Sequence, residues 1–358
     1  MEKLVTNPFI VAPMAGITDM PFRRLMRRLG AGGLVSEFIS AHLVTQKDNP
    51  RKRRYLAFHE EERPLGIQLF GGDEDILSEA AKVVEGEGVE FVDLNLGCPV
   101  PKVTRKGGGS AWLCHPVDLA QMLAKVRSAI KIPLTIKIRI GWDSTSINCA
   151  EIVRIAQEEG VAWVAIHGRT RVQGYAGHAD WEIIENIARS VKIPVIGNGD
   201  VVSGPLAAAR LLDSGVAGVM IGRAALKNPW IFQEASEALE TLRAMPEAQR
   251  EAYIREVIDA HQLPEARRGK RYQPQPIEGL EKWMRIRADR DAEALVNLHL
   301  GLLREAYPDE RANLAFRKFL AWYSAGYPGS SAFRKFIFTT DDFPAILDRA
   351  NQFFDDVK

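Results

Sequence analysis

Eight short apolar runs, most rich in β-branched residues, alternate with amphipathic segments through the first 235 residues, and this alternation limits the chain to very few folds. The runs are FIVAPM (9–14), GLVSEF (33–38), LGIQLF (65–70), FVDLNL (91–96), LTIKIR (134–139), WVAIH (163–167), PVIGNG (194–199) and GVMIG (218–222). Between most of them lie stretches with a period near 3.6, such as 75–88, 117–130, 149–160, 181–191 and 204–215. Strand alternating with helix implies parallel β-α units, because a parallel neighbour can only be reached by a crossover. Eight such units fit a (β/α)8 TIM barrel, with a doubly wound sheet as the alternative. Polar residues decide for the barrel. Met14, Glu37–Ser40, Gln68, Asn95–Cys98, Lys137–Arg139, His167–Arg169, Asn198–Asp200 and Gly222–Arg223 gather where strands end. A barrel brings all those ends to one rim, where active sites of this fold lie, whereas an open sheet strings them along an edge.

After about residue 240 strands give way to helical periodicity at 246–263, 290–306, 310–326 and 341–354. The expectation is an α/β barrel domain over 1–240 followed by a smaller all-helical domain over 241–358. Residues 264–278, rich in Pro, Gln and basic side chains, read as an exposed loop. No apolar run approaches the ~20 residues that span a bilayer. The first sixteen residues also lack the order of a signal peptide, so a cytoplasmic protein is expected.

Three cysteines, Cys98, Cys114 and Cys149, form no C-x-x-C pair. That argues against structural zinc and a disulfide framework, and no metal is expected. Cys114 and Cys149 read as buried spacers. Net charge is only +1, yet basic residues bunch in RRLMRR (23–28), RKRR (51–54), KVTRK (102–106) and RRGKR (267–271). Each alone can be a solvated surface; several on one face would suit a polyanion.

The glycines of IGNGD (196–200) and MIGRAALKNPW (220–230) follow strands seven and eight, where barrels recurrently hold a phosphate, and Arg223 adds a cation. No P-loop and no G-x-G-x-x-G fingerprint occurs. Gln68 offers an amide to the imide edge of a ring. Lys137 has the parity opposite to Ile136, Ile138 and Ile140, so it points into the barrel. There it either pairs with Glu37 or Asp93 or serves a ligand, for instance the anionic reduced ring of a flavin. His167 is placed for a ring or substrate contact. Cys98 ends its strand between Gly97 and Pro99 with no base beside it in sequence. A thiol that stays protonated can act as a general acid, and with a hydride donor it would reduce a polarised C=C bond.

These segments resemble the tRNA-dihydrouridine synthases. The likeness rests on APMAGITDMPFR (12–23), LNLGCPVPKVTRKGGGSAWL (94–113), IKIRIGW (136–142), IHGRTRVQGYAG (166–177), IGNGD and MIGRAALKNPWIF (220–232), which keep the family's order and spacing. The resemblance implies bound FMN, NADPH as electron donor, and reduction of the uridine C5=C6 bond at specific D-loop positions of tRNA. It places Pro13, Met14 and Ala15 under the flavin, with Gln68, Lys137 and His167 around the ring. Asn198, Gly199, Asp200, Gly222 and Arg223 take the ribityl-phosphate site, and Cys98 is the proton donor to uracil. Asn95, Lys102, Arg105, Arg139 and Arg169, with Arg317 and Lys318 in the helical tail, are expected on the substrate side. A monomer is expected, without metal or membrane. Competing readings are a small-molecule FMN oxidoreductase of the dihydroorotate dehydrogenase or ene-reductase type, and an RNA-binding factor with a vestigial barrel.

Overall fold

The computed structural model describes residues 1, 4–47, 49–261 and 291–356. The loop expected at 264–278, with its RRGKR cluster, lies outside the described residues. The chain divides into two compact units, Met1–Val202 with Ala207–Gly222, and Ser203–Leu206 with Arg223–Lys358.

The first unit is a nearly closed parallel barrel. Its strands are β1 (Phe9–Val11), β2 (Leu34–Val35), β3 (Ile39–Ser40), β4 (Leu65–Phe70), β5 (Phe91–Leu96), β6 (Leu134–Arg139), β7 (Trp163–His167), β8 (Val195–Asn198) and β9 (Gly218–Ile221). They run in the order β1-β9-β8-β7-β6-β5-β4-β2, with β3 also on β4. A bridge from Ile10 to Gly33 joins β1 to the start of β2 and brings the ring round. Helices α1 (Met20–Arg28), α2 (Glu74–Gly86), α3 (Pro116–Ala129), α4 (Cys149–Glu158), α5 (Trp181–Ser190) and α6 (Gly204–Asp213) lie between strands in sequence. Asp19, Asp73 and Asp180 cap α1, α2 and α5 by accepting from main-chain N–H groups of the first turn. Each such cap contributes about 1 kcal/mol.

Side-chain parity explains the interior. Ile10, Val35, Phe91, Trp163, Ala165, Ile196 and Met220 pack into one apolar cluster, in which Phe91 and Trp163 meet edge to face at 5.0 Å. Two residues beyond Phe91 on β5 and beyond Ala165 on β7, the same parity brings the polar Asp93 and His167. Ladder register sets Gln68 beside Asp93 and Asp93 beside Thr135, then Asn95 beside Lys137, and Arg139 beside His167. The polar layer therefore lies above the apolar one, towards the strand C-termini.

Six of the eight expected strands match within two residues; the second does not. In place of one run over 33–38 there are two fragments, because at Ser36 the ladder changes partners. The Gln68 N–H donates to the Ser36 hydroxyl at 3.0 Å rather than to a carbonyl, and the Glu37 N–H turns to the Thr18 carbonyl. The first strand is also shorter, ending at Val11.

The helical unit contains α7 (Ile231–Ala244), α8 (Glu247–His261), α9 (Ala292–Ala306), α10 (Asp309–Tyr323), α11 (Ser330–Thr339) and α12 (Phe343–Asp355). Phe333 stacks on Phe353 at 4.4 Å, and Phe316 and Phe319 are fully buried beside His299. Burial pushes His299 down to about 3, so it is neutral. α11 is additional to the helices expected from periodicity. It separates from α10 because Gly326 and Gly329 adopt φ of 98° and 74°, the left-handed region that ends helices.

Candidate functional site

Cys98 lies one residue beyond Gly97 at the end of β5, and the loop that carries it is fastened on three sides. Asn95 Oδ1 accepts the Cys98 N–H at 2.8 Å and the Gly97 N–H at 3.2 Å. The Cys98 carbonyl accepts from the N–H and the hydroxyl of Ser110. The guanidinium of Arg139 donates to the Gly97 carbonyl at 2.9 Å. The glycines of the GGG segment make this packing possible. A Cβ on Gly109 would stand 2.8 Å from the Cys98 carbonyl, and on the facing loop after β4 one on Gly72 would stand 2.0 Å from the Lys106 carbonyl. Cys98 is 6% exposed, and burial pushes its thiol above the usual range despite the opposing charges of Arg139 and Lys137. It is a protonated thiol at neutral pH.

Beneath it runs a chain of polar side chains. Asn95 Nδ2 donates to Gln68 Oε1 at 2.8 Å, and Gln68 Nε2 donates to Asp93 Oδ2 at 2.6 Å. Asp93 also accepts from the Thr135 hydroxyl. Burial pushes the Asp93 carboxyl up to about 6, although both hydrogen bonds and Lys137 favour the anion.

Lys137 follows on the next position of the same face. Sequence left it either an ion pair or a ligand. Asp93 gives its oxygens to Gln68 and Thr135, and a Glu37 oxygen accepts the Gly16 N–H at 2.7 Å. The Lys137 ammonium thus makes no ion pair or hydrogen bond among the described residues, and burial, followed by the like charge of Arg139, lowers it to about 8.

The β1 rim is held by Thr18, whose hydroxyl accepts the Met14 N–H and donates to the Met14 carbonyl. Pro13 and Met14 are half-buried, Ala15 is exposed, and the Met14 sulfur faces Gly222. Across the mouth, Arg169 joins Asp200 through two contacts of 2.9 and 2.8 Å and also donates to the carbonyls of Ala176 and Gly177. Asp200 adopts φ of 53° next to Gly199 at 127°. A Cβ on Gly199 would meet Ala179 at 2.5 Å and the His167 ring at 3.2 Å. Asn198 donates to the Met220 carbonyl. Arg223, the residue after Gly222, is exposed and starts the short helix Ala224–Lys227.

The basic residues divide sharply. In RRLMRR, Arg23 and Arg24 are buried against Glu62 and Glu61, and Arg28 also pairs with Glu61, so much of this cluster's charge is met within the barrel unit. Arg139 and Arg169 are likewise buried, their donors spent on loop carbonyls and Asp200. Lys102 and Arg105, by contrast, are exposed. In the helical unit Arg317 is half-buried and donates to the Ile337 carbonyl, and Lys318 lies over the Phe319 ring at 5.2 Å. Cys149 is buried as expected, but Cys114 is exposed, because it ends a 3-10 turn (Gly109–Cys114) rather than facing a core. Sequence reading treated Asp93 only as a partner for Lys137 and overlooked Thr135. The inward parity that singled out Lys137 applies equally to both.

A parallel barrel with ionisable and amide side chains massed at its C-terminal mouth is the layout of a barrel enzyme. The family model for dihydrouridine synthase (Dus) matches residues 10–355. A Pseudomonas putida protein named tRNA-dihydrouridine synthase B is 36% identical over 349 residues, covering 97% of this chain and 91% of that one. A Rickettsia bellii protein named probable tRNA-dihydrouridine synthase is 32% identical over 354 residues, covering 99% and 96%. Among solved structures, histamine dehydrogenase from Rhizobium sp. 4-9 superposes with a TM-score of 0.52 at 13% identity, over 66% of this chain and 47% of that chain, a likeness of fold. The chain belongs to the dihydrouridine synthase family of oxidoreductases. Among the described residues no helix is long and apolar enough to cross a membrane.

Proposed function

We propose that this protein reduces the C5=C6 bond of D-loop uridines in tRNA, with bound FMN, NADPH as electron donor and Cys98 as proton donor. The observation that carries the reading is the joint presence, in one barrel mouth of a dihydrouridine synthase, of a buried Cys98 thiol and a buried Lys137 with no ion-pair partner among the described residues. An inward lysine without a partner is costly unless a ligand supplies the opposing charge. The residues fit FMN in other respects. Pro13, Met14 and Ala15 line one side, and Gln68 supports the ring from beneath through its link to Asn95. His167 with Asn198, Gly199, Asp200, Gly222 and Arg223 offer the phosphate end. When bound, FMN supplies the hydride.

The chain's own work is then positional. Lys137 balances negative charge at the ring, and Asn95 serves the substrate side by holding Cys98 through the two N–H groups it accepts. Cys98 gives its proton to the carbon beside the one that gains hydride. Arg139 and Arg169 serve the substrate by holding the loops around it. Lys102 and Arg105 meet the RNA backbone at the mouth, and Arg317 and Lys318 meet it from the helical region, 241–358, which acts as the tRNA-binding part beside the catalytic 1–240. A target base must leave its stack to reach such a floor, so recognition is of tRNA shape. One chain, working in the cytoplasm, is the functional unit.

The test incubates purified protein, NADPH and tRNA from cells lacking the enzyme, then digests the RNA and maps any uridine that has gained two hydrogens. Reduced uridine in the D-loop is the expected result. Consumption of NADPH with no reduced uridine, or equal turnover on a free pyrimidine, would sink the proposal.

A further inference from the structure

Among the described residues no hydrogen bond joins Asp93 to Cys98 or its loop directly, yet every polar link between them points one way. Its carboxylate can only accept, so Gln68 must turn its NH2 group down towards it, at 2.6 Å. That leaves Gln68 Oε1 facing upward, where it accepts from Asn95 Nδ2 at 2.8 Å. Asn95 must then turn its oxygen to the Gly97 and Cys98 N–H groups. An amide alone is indifferent to its own flip; a carboxylate at one end is not. The chain is also insulated: Gln68 is fully buried, Asp93 is 2% exposed, and Asn95 is 9% exposed, so water cannot substitute for a lost partner without a rearrangement.

We propose that Asp93 is a positioning residue: by fixing the amide orientation of Gln68 and, through it, of Asn95, it holds the Cys98 loop in the geometry needed for proton delivery. The link to proton delivery rests on the role proposed for Cys98; the mechanical coupling of Asp93 to the loop does not. Thr135, the second donor to the carboxylate, lies off this path.

The coupling can be read on the thiol itself. The protein is treated at pH 8 with limiting iodoacetamide, and alkylation of each cysteine is followed by mass spectrometry. Exposed Cys114 reports any general change in reactivity or folding, and Cys98 reports the loop. Asp93→Asn keeps the shape of the side chain but lets Gln68 and Asn95 adopt either orientation. The expected result is a rise of about fivefold or more in the Cys98 rate, the factor given by losing roughly one hydrogen bond's worth of local opening energy. Cys114 should stay within about twofold, the scatter such a small change allows. Thr135→Val, which removes a donor outside the path, should leave both rates as in the wild type. Should Asp93→Asn fail to fold, Gln68→Met breaks the same chain one link higher and should give the same selective rise. Unchanged Cys98 reactivity in the folded variant, or a rise of equal size in Thr135→Val, overturns the proposal. The alkylation readout needs no turnover, so it stands whether or not tRNA is the substrate. If wild-type protein does form dihydrouridine, Asp93→Asn should lower kcat about tenfold at little changed KM for tRNA, the signature of a misplaced proton donor rather than of lost binding.

Discussion

Replacing Gly109 with alanine tests how closely the proposed proton donor must be held. Gly109 has φ of 58°, and a Cβ built there would lie 2.8 Å from the Cys98 carbonyl oxygen, 3.0 Å from the Cys98 Cβ and 3.1 Å from Val103 Cγ1. Ordinary carbon contacts are about 3.5–4.0 Å, so the Cys98 backbone must retreat by roughly 0.5–1 Å. Left-handed backbone costs an alanine about 1–2 kcal/mol by itself. Gly107→Ala is the control. Its φ is 76°, so it carries the same backbone penalty, but its Cβ would meet nothing closer than Gly72 Cα at 3.5 Å. Both variants should therefore lose a few degrees of melting temperature, about 2–4 °C per kcal/mol for a unit of this size. Only Gly109→Ala should lose turnover, by tenfold to a hundredfold, the scale associated with displacing a reacting group by up to about 1 Å. The assay is single-turnover formation of dihydrouridine with saturating tRNA, alongside thermal melts and flavin content. Equal turnover in the two variants would refute the reasoning, since it would mean that Cys98 acts from wherever the loop puts it or does not act at all.

Cys98→Ala should retain its flavin and lose most turnover on tRNA; full activity removes the thiol from the reaction. Lys137 is lowered to about 8, so its charge is present at pH 7 and disappears as pH rises through 8. FMN binding by the apoprotein should weaken across that interval, while Lys137→Met binds weakly at every pH; a parallel pH dependence in both proteins contradicts this. Lys102→Ala with Arg105→Ala should weaken tRNA binding and reduce the slope of log K against log salt by roughly one to two, at 0.7–0.9 per phosphate contact. An unchanged slope would mark these exposed charges as plain surface.

The strands that hold the site were legible because parallel barrel strands are covered on both faces and read as continuous apolar runs. LGIQLF, FVDLNL, LTIKIR and WVAIH coincide with β4 to β7 in the structure. Parity alone singled out Lys137. The connections among rim residues were not legible, because they depend on which residues face each other across strands far apart in sequence. Gln68 and Asp93 are 25 positions apart, and Thr135 lies 42 beyond Asp93. The same limit applies to charge. RRLMRR and RKRR look alike as text, but the first finds Glu61 and Glu62 more than thirty positions downstream. Arg139 and Arg169 are expected on the substrate side; only the fold reveals that loop carbonyls and Asp200 occupy them. The break in the second strand had its signal in Ser36, whose hydroxyl can replace a ladder acceptor, yet nothing in the string says that it does.

The pairing of Arg169 with Asp200 bears on how this molecule can change over evolutionary time or in a designer's hands. Arg169 grips the carbonyls of Ala176 and Gly177 and is neutralised by a residue in the next loop that itself sits in left-handed backbone. Losing Asp200 alone would strand a buried cation, and losing Arg169 alone would take the cation from an aspartate in left-handed backbone that also accepts the Ala179 N–H. The segment 168–180 is therefore not a free module. It is heritable only together with position 200, and any graft of this rim onto another barrel must carry both pieces at once.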